Sequence, residues 1–361
     1  MKHAVAISVV LPLLLSGCLL RDLRDPHDMK SPYTPPVLED VVVDSDRLRI
    51  LLVGDAGTCE GHFVEAGDVT IRDAVFERSV EFCEERGCDA VVLLGDNLYT
   101  FGVPPGGEED ADSCIGRWAW VPTGRPDGST ALLTGVLGNH DWGMIRLRQG
   151  RAAREIRWAY QFSEEEPPIP GYYWDRRFES LSNSLRIVGI DSEQMVLRRK
   201  RSRQTDWLDG LTQSDDTWTL VVGHHPRYSQ GEHGDAGAFR DFGRFGWKGN
   251  RFASRLDNAL EQTGAHIYAH GHEHMMQYGQ VNGVMHIGSG ASAKVTGGVS
   301  RSSVDLHVIG GSDDPQPGAF WLELVGEEAT LIAVPTTGRV RLEQWSRDES
   351  QSTSEDPAPE Q

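Results

Sequence analysis

Ala90-Val91-Val92-Leu93-Leu94-Gly95-Asp96-Asn97-Leu98-Tyr99 is the stretch that decides the architecture. Its unbroken apolar run predicts a strand buried on both faces, the habit of a parallel sheet. Gly95 permits a tight turn that leaves the Asp96 carboxylate free at the strand tip. The same grammar recurs outward from this stretch. Leu48 to Val53 is a buried strand closed by Gly54 and followed by Asp55. Ala131 to Leu137 leads into Gly138-Asn139-His140-Asp141, Leu185 to Ile190 ends at Asp191, and Thr219 to Val222 precedes Gly223-His224-His225-Pro226. His266 to Ala269 leads to Gly271-His272-Glu273-His274. In open α/β sheets, ligands gather just beyond the carboxyl ends of strands. Asp55, Asp96, Asn139 and His224 all fall there.

Helical spacing fills the intervals. Val69 to Arg86 keeps Ile71, Val75, Val80 and Phe82 apolar and is followed by Gly87. Gln204 to Leu211 and Arg251 to Gln262 read as two more helices. The last third changes character: Gln277–Val281, Val284–Ile287, Ala319–Val325, Thr330–Val334 and Arg339–Gln344 are short runs split by Gly or Pro, typical of hairpins. The chain is therefore expected to be α/β, parallel in its first two-thirds and antiparallel in the last.

Length and charge bound the role. The 361 residues allow one large core or two modest ones, and the net charge of −19 argues against a general nucleic-acid binder. An anionic substrate would need a local positive site, which bound metals would provide. Residues 1–17 have a short basic start and a brief apolar run, too short to span a bilayer, and read as a signal peptide. The run ends Leu15-Ser16-Gly17-Cys18, which resembles a bacterial lipobox. Cys18 is then the lipidated residue and the only membrane contact. Leu19 rather than Asp after it favours the outer membrane. Residues 18–46 read as a Pro-rich tether, 47–346 as the folded domain and 347–361 as a disordered tail. Cys59, Cys83, Cys88 and Cys114 fit two disulfides in an exported chain, with three connectivities to choose among. The close pair flanking a helix end favours Cys83–Cys88 with Cys59–Cys114. Their spacings match no standard zinc pattern.

The strand-tip clusters carry enough O and N donors for two metal ions. In His272-Glu273-His274 an extended backbone puts the two imidazoles on one face, able to address adjacent metals. A neutral phenol is a poor ligand for Mg²⁺ or Zn²⁺, whereas a phenolate suits Fe³⁺, so Tyr99 points to a ferric ion. Two ions about 3.5–4 Å apart clamp a phosphoryl oxygen and supply hydroxide for in-line attack. A histidine beside them protonates the leaving alkoxide. No serine-hydrolase elbow and no Walker-type loop is present.

Taken together, Leu48 to Asp55, Gly95 to Val103, Gly138 to Asp141, Val221 to Pro226, Glu232-His233-Gly234 and Gly271 to His274 with Gln277-Tyr278 resemble the calcineurin-like metallophosphoesterases. Within that family they are most similar to the small purple, tartrate-resistant acid phosphatases, over about residues 47 to 335. The resemblance implies a four-layer αββα sandwich with two mixed sheets. It implies that Asp55, Asp96, Tyr99 and His274 hold Fe³⁺. Asp96 would bridge, and Asn139, His224 and His272 would hold Fe²⁺, Zn²⁺ or Mn²⁺. It gives His140 and His233 the substrate phosphate and the leaving-group proton, and leaves Asp141 to orient His140. The expected activity is that of an acid phosphatase acting on small phosphate esters. A Mn²⁺- or Zn²⁺-dependent phosphodiesterase and a non-catalytic surface-binding lipoprotein are the rival readings. His225, where an aromatic residue is expected, and the loop from Pro104 to Pro126 with Trp118 and Trp120 depart from the family. That loop is expected to flank the pocket and set substrate choice.

Overall fold

Alternation along single strands shows how the layers are made. In Leu48–Val53, Ile50 and Leu52 pack with Val92, Ile187, Leu220 and Ile287, while Leu51 and Val53 pack with Val75, Phe82 and Ile156. A strand buried on both faces must lie between another sheet and a layer of helices. In this computed structural model the described residues are 34–59, 67–143, 150–197, 203–211, 215–236, 246–298, 302–337 and 342–347. The expected signal peptide, Cys18, the tether as far as residue 33 and the tail from 348 lie outside them.

The chain runs β1 (Val41–Val42), β2 (Leu48–Val53), α1 (Val69–Arg86), β3 (Ala90–Leu94), α2 (Glu108–Cys114), β4 (Leu132–Val136), α3 (Gly150–Phe162), β5 (Trp174–Glu179), β6 (Ser184–Gly189), α4 (Ser192–Leu197), α5 (Arg203–Gly210), β7 (Trp218–Val222), α6 (Gly246–Thr263), β8 (Ile267–His270), β9 (Met276–Val281), β10 (Val284–Ser289), β11 (His307–Val308), β12 (Gly318–Val325), β13 (Glu328–Pro335) and β14 (Leu342–Ser346). Two mixed sheets result, one in the order β14-β13-β12-β2-β3-β4 and one in the order β1-β5-β6-β7-β8-β10-β9-β11. Their facing sides share one core. A second core lies under α1 and α3, and a third under α6. The molecule is the expected four-layer αββα sandwich.

α1 begins where the Asp68 carboxylate accepts the Thr70 N–H at 2.8 Å and ends at Gly87 (φ 87°), as its capping residues predict. Cys83 pairs with Cys88 and Cys59 with Cys114. The first bond closes the turn after α1, and the second ties the segment after β2 to α2.

Four expectations give way. The tether is not loose to residue 46: β1 pairs parallel with β5, and Val43 is buried. β5 and β6 are antiparallel, inside the part expected to be parallel throughout. In the last third β10 runs parallel to β8, because the β9–β10 hairpin folds its second strand back between β9 and β8. The loop from Pro104 to Pro126 does not line the strand tips along its length. It descends through α2, buries Trp118 against Phe76, and reaches the Cys88 end of β3, opposite Asp96, where the Cys88 N–H donates to the Thr123 carbonyl. Exposed Trp120 lies on that descent.

Candidate metal centre

Strained backbone aims the strand-tip groups. Asp55 (φ 59°), Asp96 (φ 53°) and His272 (φ 67°) all lie in the left-handed region, which costs an L-residue about 1–2 kcal/mol each. Such strain persists where surrounding bonds over-determine it. Here the Asp55 N–H donates to the Gly95 carbonyl at 3.0 Å, and the His272 N–H donates to Asp55 Oδ2 at 2.7 Å. These bonds bring three distant parts of the sequence to one point. Gly95 (φ 85°) is required there, since a Cβ on it would meet His224 Nδ1 at 2.7 Å.

Two groups of donors converge. Tyr99 Oη donates to Asp55 Oδ1 at 3.0 Å and lies 3.3 Å from His274 Nε2, which is 3.4 Å from Asp55 Oδ1. Asn139 Oδ1 lies 2.9 Å from His224 Nε2 and 3.0 Å from His272 Nδ1, and those two nitrogens are 3.2 Å apart. Asp96 Oδ1 is 3.3 Å from His224 Nε2. Asp55, Asp96 and His224 each offer an atom within 4.8 Å of the others. The sequence-predicted ligands Asp55, Asp96, Tyr99, Asn139, His224, His272 and His274 thus gather in two sets, with Asp96 beside His224 of the second.

Bonds behind the ligands fix which atoms face the cluster. His224 Nδ1 donates to the Leu94 carbonyl at 2.9 Å, which turns Nε2 inward to the cluster. His274 Nδ1 meets Thr296 Oγ1 at 3.2 Å and likewise turns Nε2 inward.

The donor set fits cations. Asp55 and Asp96 are buried, and their ion-pair partners among the described residues are His274, His140 and His224. Buried carboxylates without a strong counter-charge are costly, and metal ions remove that cost. Burial works to raise the Asp96 carboxyl, but the His224 and His140 imidazoles outweigh it and hold it below the usual range. Burial lowers His224, yet Asp96 drives it up to about 10, a measure of how strongly this pocket attracts positive charge. Burial, Asp55 and Asp96 push the Tyr99 phenol well up, so only a strong Lewis acid would ionise it. Burial and the neighbouring His225 imidazole hold His272 well down, in the neutral form a ligand needs.

The two remaining histidines border the cluster. His140 donates its main-chain N–H to Asp96 Oδ1 at 2.9 Å, and its Nδ1 meets the Thr100 carbonyl at 2.7 Å. Its Nε2 lies 3.8 Å from Asp96 Oδ2. His233 stacks on His272 with ring centroids 4.6 Å apart.

Asp141 does not orient the His140 ring. Its carboxylate accepts the main-chain N–H groups of Asn97, Leu98 and Gly138 at 2.9, 3.0 and 2.7 Å, bracing the turns that carry Asp96 and Asn139. Glu155 of α3 lies behind it and accepts from the Asn97 amide at 2.9 Å. Burial and Asp96 push Asp141 up to about 7, and burial and Asp141 push Glu155 well above the carboxylate range. His225 packs its ring against His272, with centroids 4.6 Å apart, and its Nδ1 lies 2.8 Å from Ser192 Oγ, the atom that accepts the main-chain N–H groups of His224 and His225 at 3.1 and 2.9 Å. Sequence reasoning missed Ser192, Glu155 and Glu273. For Ser192 the signal was its place directly after a strand-terminal Asp, beyond the same sheet end.

The calcineurin-like phosphoesterase family model matches residues 48–276, and the chain belongs to this family. It is a hydrolase of phosphoric esters. Tartrate-resistant acid phosphatase type 5 of Mus musculus is 24% identical over 336 residues, covering 81% of this chain and 92% of that protein. Among solved structures, GAP50, the anchor in the inner membrane complex of Plasmodium, superposes with a TM-score of 0.61 at 16% identity, covering 83% of this chain and 89% of that one. Purple acid phosphatase PPD1 of yellow lupin superposes with a TM-score of 0.54 at 14% identity, over 88% of this chain and 57% of that one. These two likenesses speak to the fold alone.

Proposed function

We propose that this chain is a dinuclear-metal phosphomonoesterase of the purple acid phosphatase type, acting on small phosphate esters. The observation that carries the reading is Tyr99 Oη within 3.0 Å of Asp55 Oδ1 and 3.3 Å of His274 Nε2. A phenol among hard oxygen donors suits Fe³⁺. Asp55, Asp96, Tyr99 and His274 would hold it, and Asp96, Asn139, His224 and His272 would hold Fe²⁺, Zn²⁺ or Mn²⁺. Bound there, the pair supplies positive charge for the phosphoryl oxygens and an activated water.

The chain's own residues do the rest. The Asp55 and Asp96 turns hold the ligands in place before substrate arrives, so little reorganisation is needed during reaction. His140, held at Nδ1 by the Thr100 carbonyl, presents Nε2 towards a phosphate oxygen. His233 stacks on His272, and either imidazole can hand a proton to the leaving oxygen. The reading extends to place: an exported lipoprotein held to the outer membrane through Cys18. Among the described residues no helix is long and apolar enough to cross a membrane.

The test is metal analysis and an absorption spectrum, with hydrolysis of p-nitrophenyl phosphate and bis(p-nitrophenyl) phosphate across pH. Bound iron, a visible tyrosinate band lost in Tyr99→Phe, and preference for the monoester in acid support the reading. A colourless, fully active manganese enzyme preferring the diester overturns it.

A further inference from the structure

We propose that Glu273 is the positioning residue for His233, clamping the loop that carries it and fixing which ring nitrogen faces the substrate. The inference rests on the phosphomonoesterase reading above.

Glu273 stands between the ligands His272 and His274, yet its side chain turns away from them. It is fully buried. Oε2 accepts the main-chain N–H of His233 at 3.1 Å and the Ser229 hydroxyl at 3.0 Å, and Oε1 lies 3.4 Å from His233 Nδ1. The Ser229 hydroxyl in turn accepts the Gly231 N–H and the Gln277 amide, both at 3.0 Å. A Cβ on Gly231 would collide with the Glu273 carboxylate. So the turn from Ser229 to Gly234 is wrapped around this one carboxylate. A buried carboxylate is costly unless it is hydrogen-bonded, and every one of these bonds comes from that turn or its Ser229 root. The segment that supplies two metal ligands therefore also sets the position of the proton donor.

The bond to Nδ1 defines the chemistry. A carboxylate can only accept, so Nδ1 keeps its hydrogen and Nε2 is the nitrogen that exchanges a proton. As a water-derived hydroxide forms its bond to phosphorus, the P–O bond to the leaving group breaks and that bond's electron pair goes to the ester oxygen. That oxygen takes the Nε2 proton and departs as the alcohol. The imidazolium becomes neutral imidazole with Nδ1–H still directed at Glu273, the tautomer the clamp favours. The geometry is that of a histidine oriented by a third group, common to activated catalytic histidines.

The experiment uses the full chain, loaded with zinc, as wild type, Glu273→Gln and Glu273→Asp. Glutamine keeps the size and one acceptor but removes the charge. Nitrogen-15 spectra of the imidazoles read the His233 tautomer, with His233→Asn giving the assignment. Rates on p-nitrophenyl phosphate, whose leaving group needs no proton, are compared with rates on glycerol phosphate, whose leaving group does. We expect His233 to be the Nδ1–H tautomer in wild type and mixed in Glu273→Gln. The rate on glycerol phosphate should fall roughly 10²-fold in Glu273→Gln and that on p-nitrophenyl phosphate by only a few-fold, with metal content unchanged and Glu273→Asp between. An unchanged tautomer overturns the proposal. So does an equal fall on both esters, or loss of zinc that accounts for the lost rate. If wild type loaded with iron and zinc hydrolyses neither ester, the phosphomonoesterase reading fails, while the tautomer in the zinc form still tests the clamp.

Discussion

Acid should weaken this fold through His286, and the size of the effect can be worked out. The ring sits on β10, buried, edge-on to Tyr228 at 5.0 Å, with Nδ1 lacking a hydrogen-bond partner among the described residues. Burial above all, with His270 and Arg227 adding to it, lowers its pKa from 6.5 to about 3. The sign follows from proton counting. Below pH 6.5 the unfolded chain binds a proton at His286 and the folded chain does not. Stability is therefore intact above about 6.5 and is lost as pH falls towards 3. At pH 5 the unfolded form gains a factor of about 30, or about 2 kcal/mol; at pH 7 it gains almost nothing. His286→Phe keeps an aromatic ring against Tyr228 and removes the titration. Urea denaturation of wild type and variant at pH 7 and pH 5 should show wild type losing about 2 kcal/mol more than the variant on acidification. His266 and His270, each held at about 4 by burial first, titrate in both proteins and cancel. Equal losses would refute the reasoning. Since an acid optimum is proposed for the chemistry, fold and reaction pull in opposite directions below pH 6.

Three other outcomes follow from the geometry. Gly95→Ala should destabilise by about 2 kcal/mol or more and lower metal content, because the new methyl meets His224 Nδ1 and φ is positive; calorimetry and metal analysis check it. Glu155→Gln should leave the metal-free protein more stable than wild type at pH 8. The raised Glu155 pKa means wild-type stability falls as pH climbs above 4.5, so the gap between the two should close towards pH 4 in denaturant titrations. Replacing Cys59 and Cys114 by alanine opens a link across 55 residues and should cost about 4 kcal/mol, against about 2 kcal/mol for Cys83 and Cys88, which are 5 apart. Equal costs would show that chain entropy is not what these bonds control.

Some of this was legible in the sequence and some could not be. β2, β3 and β7 announced themselves because strands buried on both faces are runs of apolar residues, broken here only by Arg49 and Thr219, that end in Gly. The residues just past them were natural ligand candidates. β5 was hidden because Trp174, Arg176 and Phe178 face inward and polar residues alternate with them, and Arg176 conceals the period. α3 was hidden because its buried face includes Glu155, a charge where an apolar residue is expected. Asp141 looked like a partner for its neighbour His140. Instead it serves the turn 44 residues away, a long-range pairing that spacing cannot reveal. Nothing in the sequence assigns Glu273 a role between its two histidines, and only the folded turn from Ser229 shows what it holds.

The bond from the His272 N–H to Asp55 Oδ2 joins groups 217 positions apart, and β12 pairs with β2 from the far side. The order of synthesis therefore matters. A nascent chain that has emerged as far as β7 carries Asp55, Asp96, Tyr99 and Asn139 but neither His272 nor His274, and β2 still lacks one neighbour. Contacts this distant make folding slow. Ion capture in the finished geometry is thus a late event, reserved for a chain whose last third has already come home to its first strand.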